Sequence, residues 1–192
     1  MKKYLILALF AIQFVSAQQK IDSLAATMGN NEVRVDVLSA IAASKLNLSY
    51  ERYMSRDWSI GITLGYSDSD KVNEDFDKGY RNSRPEYDVT PFVRYKMSKG
   101  IRNFYFIEAF ASANGGDYKE TVRRIDPTGA GYYVNEKSTY FDVGAGAGVG
   151  YKMYFSDKFG VEFLVAFGTN FVNKDKSPDT LSRVGLSLAY RF

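Results

Sequence analysis

The chain has 192 residues, with 25 Lys+Arg against 22 Asp+Glu, and is 16% aromatic. It has no Cys, which excludes disulfides, thiol catalysis and thiolate metal sites, and no His, the usual general base and commonest metal ligand. Lys2 and Lys3 lie in the first three residues, and without them the charge is nearly balanced, which argues against a nucleic-acid partner.

Met1-Lys2-Lys3 precedes an apolar run from Tyr4 to Val15, and Val15-Ser16-Ala17 supplies a small-x-small site. This pattern predicts a secretory signal peptide over 1–17, cleaved after Ala17. The run is too short for a membrane-spanning helix, and no later segment approaches the roughly 20 apolar residues one needs. Residues 18–31 are polar, break at Gly29-Asn30-Asn31, and read as a periplasmic lead-in.

From there the apolar residues recur every second position, the period of a strand whose faces meet different surroundings. The first strand is expected from Glu32 to Ile41, with Val33, Val35 and Val37 on one face. After a short link at Ala42-Ala43, the second runs from Ser44 to Tyr53 with Leu46, Leu48 and Tyr50 outward. The third, Trp58 to Tyr66, alternates Trp58, Ile60, Ile62, Leu64 and Tyr66 against small residues. A long polar loop over 67–84 follows.

The fourth strand, Tyr87 to Met97, contains Pro91, which cannot donate a ladder hydrogen bond, so a bulge is expected there. The fifth, Phe104 to Asn114, is apolar on both faces. Glu108 assigns it, because a carboxylate does not face lipid, so Tyr105, Ile107, Ala109 and Ala111 point out. The connection 115–137 contains Asp126-Pro127-Thr128-Gly129 between two strand-like runs and reads as a hairpin above the membrane. The sixth strand, Ser138 to Phe155, has Gly144, Gly146, Gly148 and Gly150 on one face. A seventh begins at Phe159, and the last ends Val184, Leu186, Leu188, Tyr190, Phe192 in strict alternation.

Eight strands, with short connections after the second, fourth and sixth, long ones after the third, fifth and seventh, and only the first outer connection brief, predict an all-β, eight-stranded antiparallel up-and-down transmembrane β-barrel over 32–192. Trp58, Tyr95, Tyr105, Tyr151, Phe155, Phe159, Tyr190 and Phe192 fall at the inner end of the outward face. Tyr66, Tyr87, Phe141 and Phe167 fall near the outer end. Two aromatic girdles mark the headgroup levels of a bilayer.

Inside, nine charged residues are expected in the inner half of the barrel: Arg34, Asp36, Glu51, Arg94, Lys96, Glu108, Lys152, Glu162 and Arg191. Buried charges must pair, so they read as a nearly neutral structural plug. The turn at Asp157 sets Lys152 opposite Glu162, with Arg191 able to share that carboxylate. The glycine row fits neither a dinucleotide fingerprint nor a P-loop, and reads as a wall that makes room for Phe92, Phe106 and Phe110. The acids of 68–77 miss the spacing of a calcium loop and read as a solvated surface.

The ending Val184 to Phe192 resembles the C-terminal signature of bacterial outer-membrane barrels. The resemblance implies that Tyr190 and Phe192 are read by the barrel-assembly machinery. Leu46-Asn-Leu-Ser-Tyr-Glu-Arg-Tyr53 followed by Trp58-Ser-Ile-Gly61 is similar to small eight-stranded barrels of the OmpA/OmpX transmembrane type and to single-domain barrels of the Gram-negative envelope. Unlike the two-domain relatives, no peptidoglycan-binding domain is expected after Phe192. The expected location is the cell outer membrane, in contact with its lipid and possible partner proteins of that membrane. Small barrels of this kind that are lipid or peptide enzymes use a His, so no enzyme, metal or cofactor is expected. A structural or interaction role in the envelope, or an accessory subunit of a larger complex, is the first functional reading. A narrow channel or transporter for ions or small hydrophobic molecules is the alternative, and a His-independent enzyme the remote one.

Overall fold

The computed structural model describes residues 29–127 and 129–192. The signal peptide expected over 1–17, and the lead-in up to residue 28, lie outside the described residues. The fold is a closed antiparallel barrel in which each strand pairs with the next and β8 closes on β1. The strands are β1 (Asn31–Asp36), β2 (Lys45–Tyr53), β3 (Trp58–Ser67) and β4 (Ser83–Lys96), then β5 (Asn103–Ile125), β6 (Gly131–Tyr154), β7 (Phe159–Asn170) and β8 (Thr180–Arg191). Closure runs from Glu32 opposite Arg191 to Asp36 opposite Ser187. Phe192 and Asn31 exchange backbone hydrogen bonds of 2.8 and 3.0 Å, so no edge is left at the terminus.

Alternation of the side chains divides the barrel into two surfaces. Leu48, Ile60, Leu64, Val89, Ile107, Val149, Phe163 and Leu188 are all exposed on the outside. In water such a continuous apolar surface would be costly, whereas against acyl chains it is the favoured arrangement. At the inner end the girdle rings meet in pairs across neighbouring strands. Trp58 meets Tyr95 at 5.0 Å, Tyr105 meets Tyr151 at 4.7 Å, and Phe159 meets Tyr190 at 5.1 Å. No helix among the described residues is long and apolar enough to cross a membrane; the strands do so, because a closed barrel satisfies its own backbone groups.

Three local features differ from the sequence expectations. The first strand stops at Asp36, and Val37–Ala43 forms a helix, α1. The Asp36 carboxylate caps it, accepting from the Ser39 backbone N–H at 3.2 Å and the Ser39 hydroxyl at 2.5 Å. Three alanines in that run favour the helix, and Ser44 ends it in the left-handed region at φ 48°. The polar loop 67–84 contains a second helix, α2 (Asp70–Asp77), which buries Phe76. Finally, Pro91 makes no bulge. The β4–β5 ladder keeps its register across it, and the shift falls between Pro85 and Tyr87.

The rim is uneven. β5 and β6 have 23 and 24 residues and rise as a paired hairpin well above β1, which has six. The expected hairpin of 115–137 is therefore a continuation of the barrel wall, with its turn near Gly129 at φ 87°.

Candidate functional site

The interior is built in layers. At its centre the Lys152 ammonium lies 2.7 Å from Glu32, 3.0 Å from Glu51 and 2.9 Å from Glu162. It also donates to the Tyr53 hydroxyl at 3.0 Å. Arg94 reaches Glu51 at 2.9 Å, Glu108 at 2.7 Å and Glu162 at 2.7 and 2.8 Å. Arg34 pairs with Glu32 at 2.8 Å and with Glu51. Arg183 closes the set on Glu108 at 2.5 Å. Four carboxylates thus face four cations, and all but Arg183 are almost fully buried. A buried charge is tolerable when it is paired and its remaining hydrogen-bonding capacity is met, as it is here.

Aromatic rings pack between these charges. The Arg94 guanidinium lies 4.6 Å from the Phe92 centroid and 4.3 Å from Phe106, and Arg183 lies 4.9 Å from Phe110. The glycine wall makes room for them. A Cβ on Gly150 would stand 2.2 Å from Phe106, and one on Gly146 2.5 Å from Phe110. Large rings therefore fill the space that an eight-stranded barrel leaves.

Of the nine predicted interior charges, Arg34, Glu51, Arg94, Glu108, Lys152 and Glu162 come together in this cluster. The other three do not. Asp36 caps α1 and accepts from the Leu186 backbone N–H at 3.2 Å, one rim layer away. Lys96 sits over the Phe104 ring at 4.8 Å. Arg191 does not share Glu162; it donates to the Gly29 carbonyl at 2.6 Å and stacks 3.9 Å from the Tyr53 centroid. Inward pointing is therefore not enough, because the barrel height separates charges that share a face.

Two members were missing from the prediction. Glu32 and Arg183 both stand in the inward phase of their strands, in step with Arg34 and Arg191. Counting phase out to the strand ends would have found them.

Glu32, Glu51 and Glu162 converge within 4.8 Å, a spacing suited to a metal ion. Lys152 already supplies a cation to all three at 3.0 Å or less, so the carboxylates are matched by the protein itself. The acids of the 68–77 segment, by contrast, do not converge. Glu74 pairs with Lys78, and Asp77 with Lys137 at 3.2 Å.

The outer end is tied differently. The buried Asp142 carboxylate accepts from the backbone N–H groups of Val172 at 2.9 Å and Asn173 at 2.8 Å, and from the Ser177 hydroxyl at 2.5 Å. Asn170 donates to the Pro178 carbonyl at 2.9 Å. One carboxylate and one amide thereby hold the β7–β8 loop over the barrel mouth.

The barrel is similar to two solved eight-stranded outer-membrane barrels. One is the N-terminal β-barrel domain of Pseudomonas aeruginosa OprF, at TM-score 0.50 and 12% identity, covering 86% of this chain and 99% of that one. The other is neisserial surface protein A, at TM-score 0.51 and 10% identity, covering 84% and 94%. At these identities the likeness is one of fold. No curated protein matches the chain. By a match over residues 4–183, the chain belongs to the family described as Protein of unknown function (DUF3575).

Proposed function

We propose that this protein is a non-catalytic barrel of the cell outer membrane, acting in envelope structure or surface contact, or as an accessory subunit of an outer-membrane complex. The observation that carries the reading is the matched set of four carboxylates and four cations across the interior. Within that set every carboxylate and every cation has its partner in the protein, so the layer itself offers no free charge to an ion or a substrate. The outer wall presents an apolar belt to lipid, and the tall β5–β6 hairpin carries exposed Ile125, Tyr132 and Tyr133 into the space above. Tyr190 and Phe192, at the inner girdle, are the positions offered to the barrel-assembly machinery.

A chain without cysteine permits a clean test of this placement. Tyr133→Cys should react with a membrane-impermeant maleimide on intact cells. Asp157→Cys, in the β6–β7 turn, should react only after permeabilisation. Recovery of the protein in the soluble periplasm, or equal labelling of both positions on intact cells, would overturn the placement.

A further inference from the structure

Above the charge layer the barrel interior opens into a cavity of about 340 Å³. That volume is in the range of small-molecule sites. Its lower wall includes Phe110, Thr90 and Ser112, all buried, and Arg183, which is held from below by Glu108. Its upper wall includes Val72 of α2, Arg81, and Pro178 of the loop that Asp142 ties down. The cavity therefore ends blind on the ion-pair layer and faces the loops on its other side.

The charges on its wall are unequal in their commitments. Lys45 and Asp88 pair with one another. Glu86 is engaged by Arg84 at 2.5 Å, and Arg183 by Glu108. Arg81 is half-buried, and among the described residues no carboxylate lies within ion-pair distance of it. One guanidinium thus stands unmatched on the wall of a partly enclosed cleft, where a charge is screened less than on open surface. Beside it, Val72, Pro85, Leu181 and Phe110 supply apolar surface.

We propose that this vestibule is a binding site for a small amphipathic carboxylate entering from outside the cell. Arg81 holds the acid group, and the apolar body lies against Leu181, Val72 and Phe110. Guanidinium suits this task because its planar donors match a carboxylate in pairs. The blind floor makes this a site for capture rather than passage.

The probe is 3-phenylpropionate, titrated against the full-length protein in nanodiscs of uncharged lipid and followed by calorimetry, with 3-phenylpropylamine as the charge-reversed control. Saturable one-to-one binding of the acid is expected, at least tenfold tighter than the amine. Arg81→Gln should abolish that preference while leaving the heat-dependent gel shift of the barrel unchanged. Asp88→Asn, which removes a wall carboxylate and frees Lys45, should tighten the acid several-fold, a sign that a merely structural role for these residues would not produce. Equal, unsaturable uptake of acid and amine, or acid binding unaffected by Arg81→Gln, would overturn the site. Neither result bears on the location of the barrel, which the cysteine labelling tests separately.

Discussion

Lys152 stands directly across the β6–β7 ladder from Glu162, and its ammonium lies 2.9 Å from that carboxylate. Arg94 and Arg34 approach the same carboxylate, at 2.7 and 3.5 Å. Glu162→Gln therefore leaves three buried cations short of a partner and should destabilise the barrel by roughly 3–5 kcal/mol. Adding Lys152→Met should restore part of that loss. Urea unfolding in lipid vesicles across the four variants would give the coupling energy, which is expected to be clearly non-zero. Additive losses would show that the pair does not act as a unit.

The glycine wall yields a second expectation. A methyl at Gly150 would meet Phe106 at 2.2 Å and the Phe163 carbonyl oxygen at 2.7 Å. Gly150→Ala should cost about 1–3 kcal/mol through overpacking. Trimming the ring with Phe106→Leu should recover some of it, though not the part due to the carbonyl. The same unfolding assay reads both. A neutral Gly150→Ala would mean that the wall is not packed against the rings.

Strand phase was legible in the sequence because one face meets lipid and the other does not. Glu108 settled the orientation of β5, and the Lys152–Glu162 register followed from the turn at Asp157. What the alternation could not convey was height. Asp36, Lys96 and Arg191 share the inward face with the cluster yet lie at other levels, where a helix end, an aromatic ring and a carbonyl receive them. The run Val37–Ala43 is apolar save for Ser39, and Val37 continued the strand alternation in phase, so the capping Asp36 and the alanines were the better signals. In α2, Val72 and Phe76 have the four-residue spacing of a helical face, hidden among acids that suggested a loop.

Asp142 gives a prediction confined to the outer rim. Asp142→Asn replaces an acceptor of four contacts from the β7–β8 loop, including Phe171 N–H at 3.3 Å, by a group with one acceptor oxygen. The loop 171–179 should loosen while the membrane-embedded ladder stays intact. Trypsin cleavage after Lys174 or Lys176 on intact cells should rise several-fold, with the thermal unfolding of the barrel little changed. Unaltered cleavage would assign the anchoring of this loop to other contacts.

Tyr190 and Phe192 both belong to the inner girdle, stand 6.1 Å apart as stacked rings, and are the residues proposed as the assembly signal. Replacing both by Ser should lower the amount of assembled, heat-modifiable protein at the surface while export continues. Normal surface levels in the double variant would separate assembly from these rings.

Conductance of the purified wild-type barrel in a planar bilayer tests most directly whether paired charges close the interior. No steady current above background is expected, because each buried charge in the layer already has its partners within the protein. A reproducible, ion-selective conductance that Glu162→Gln alters without changing unfolding stability would contradict the closed interior and establish a channel in its place.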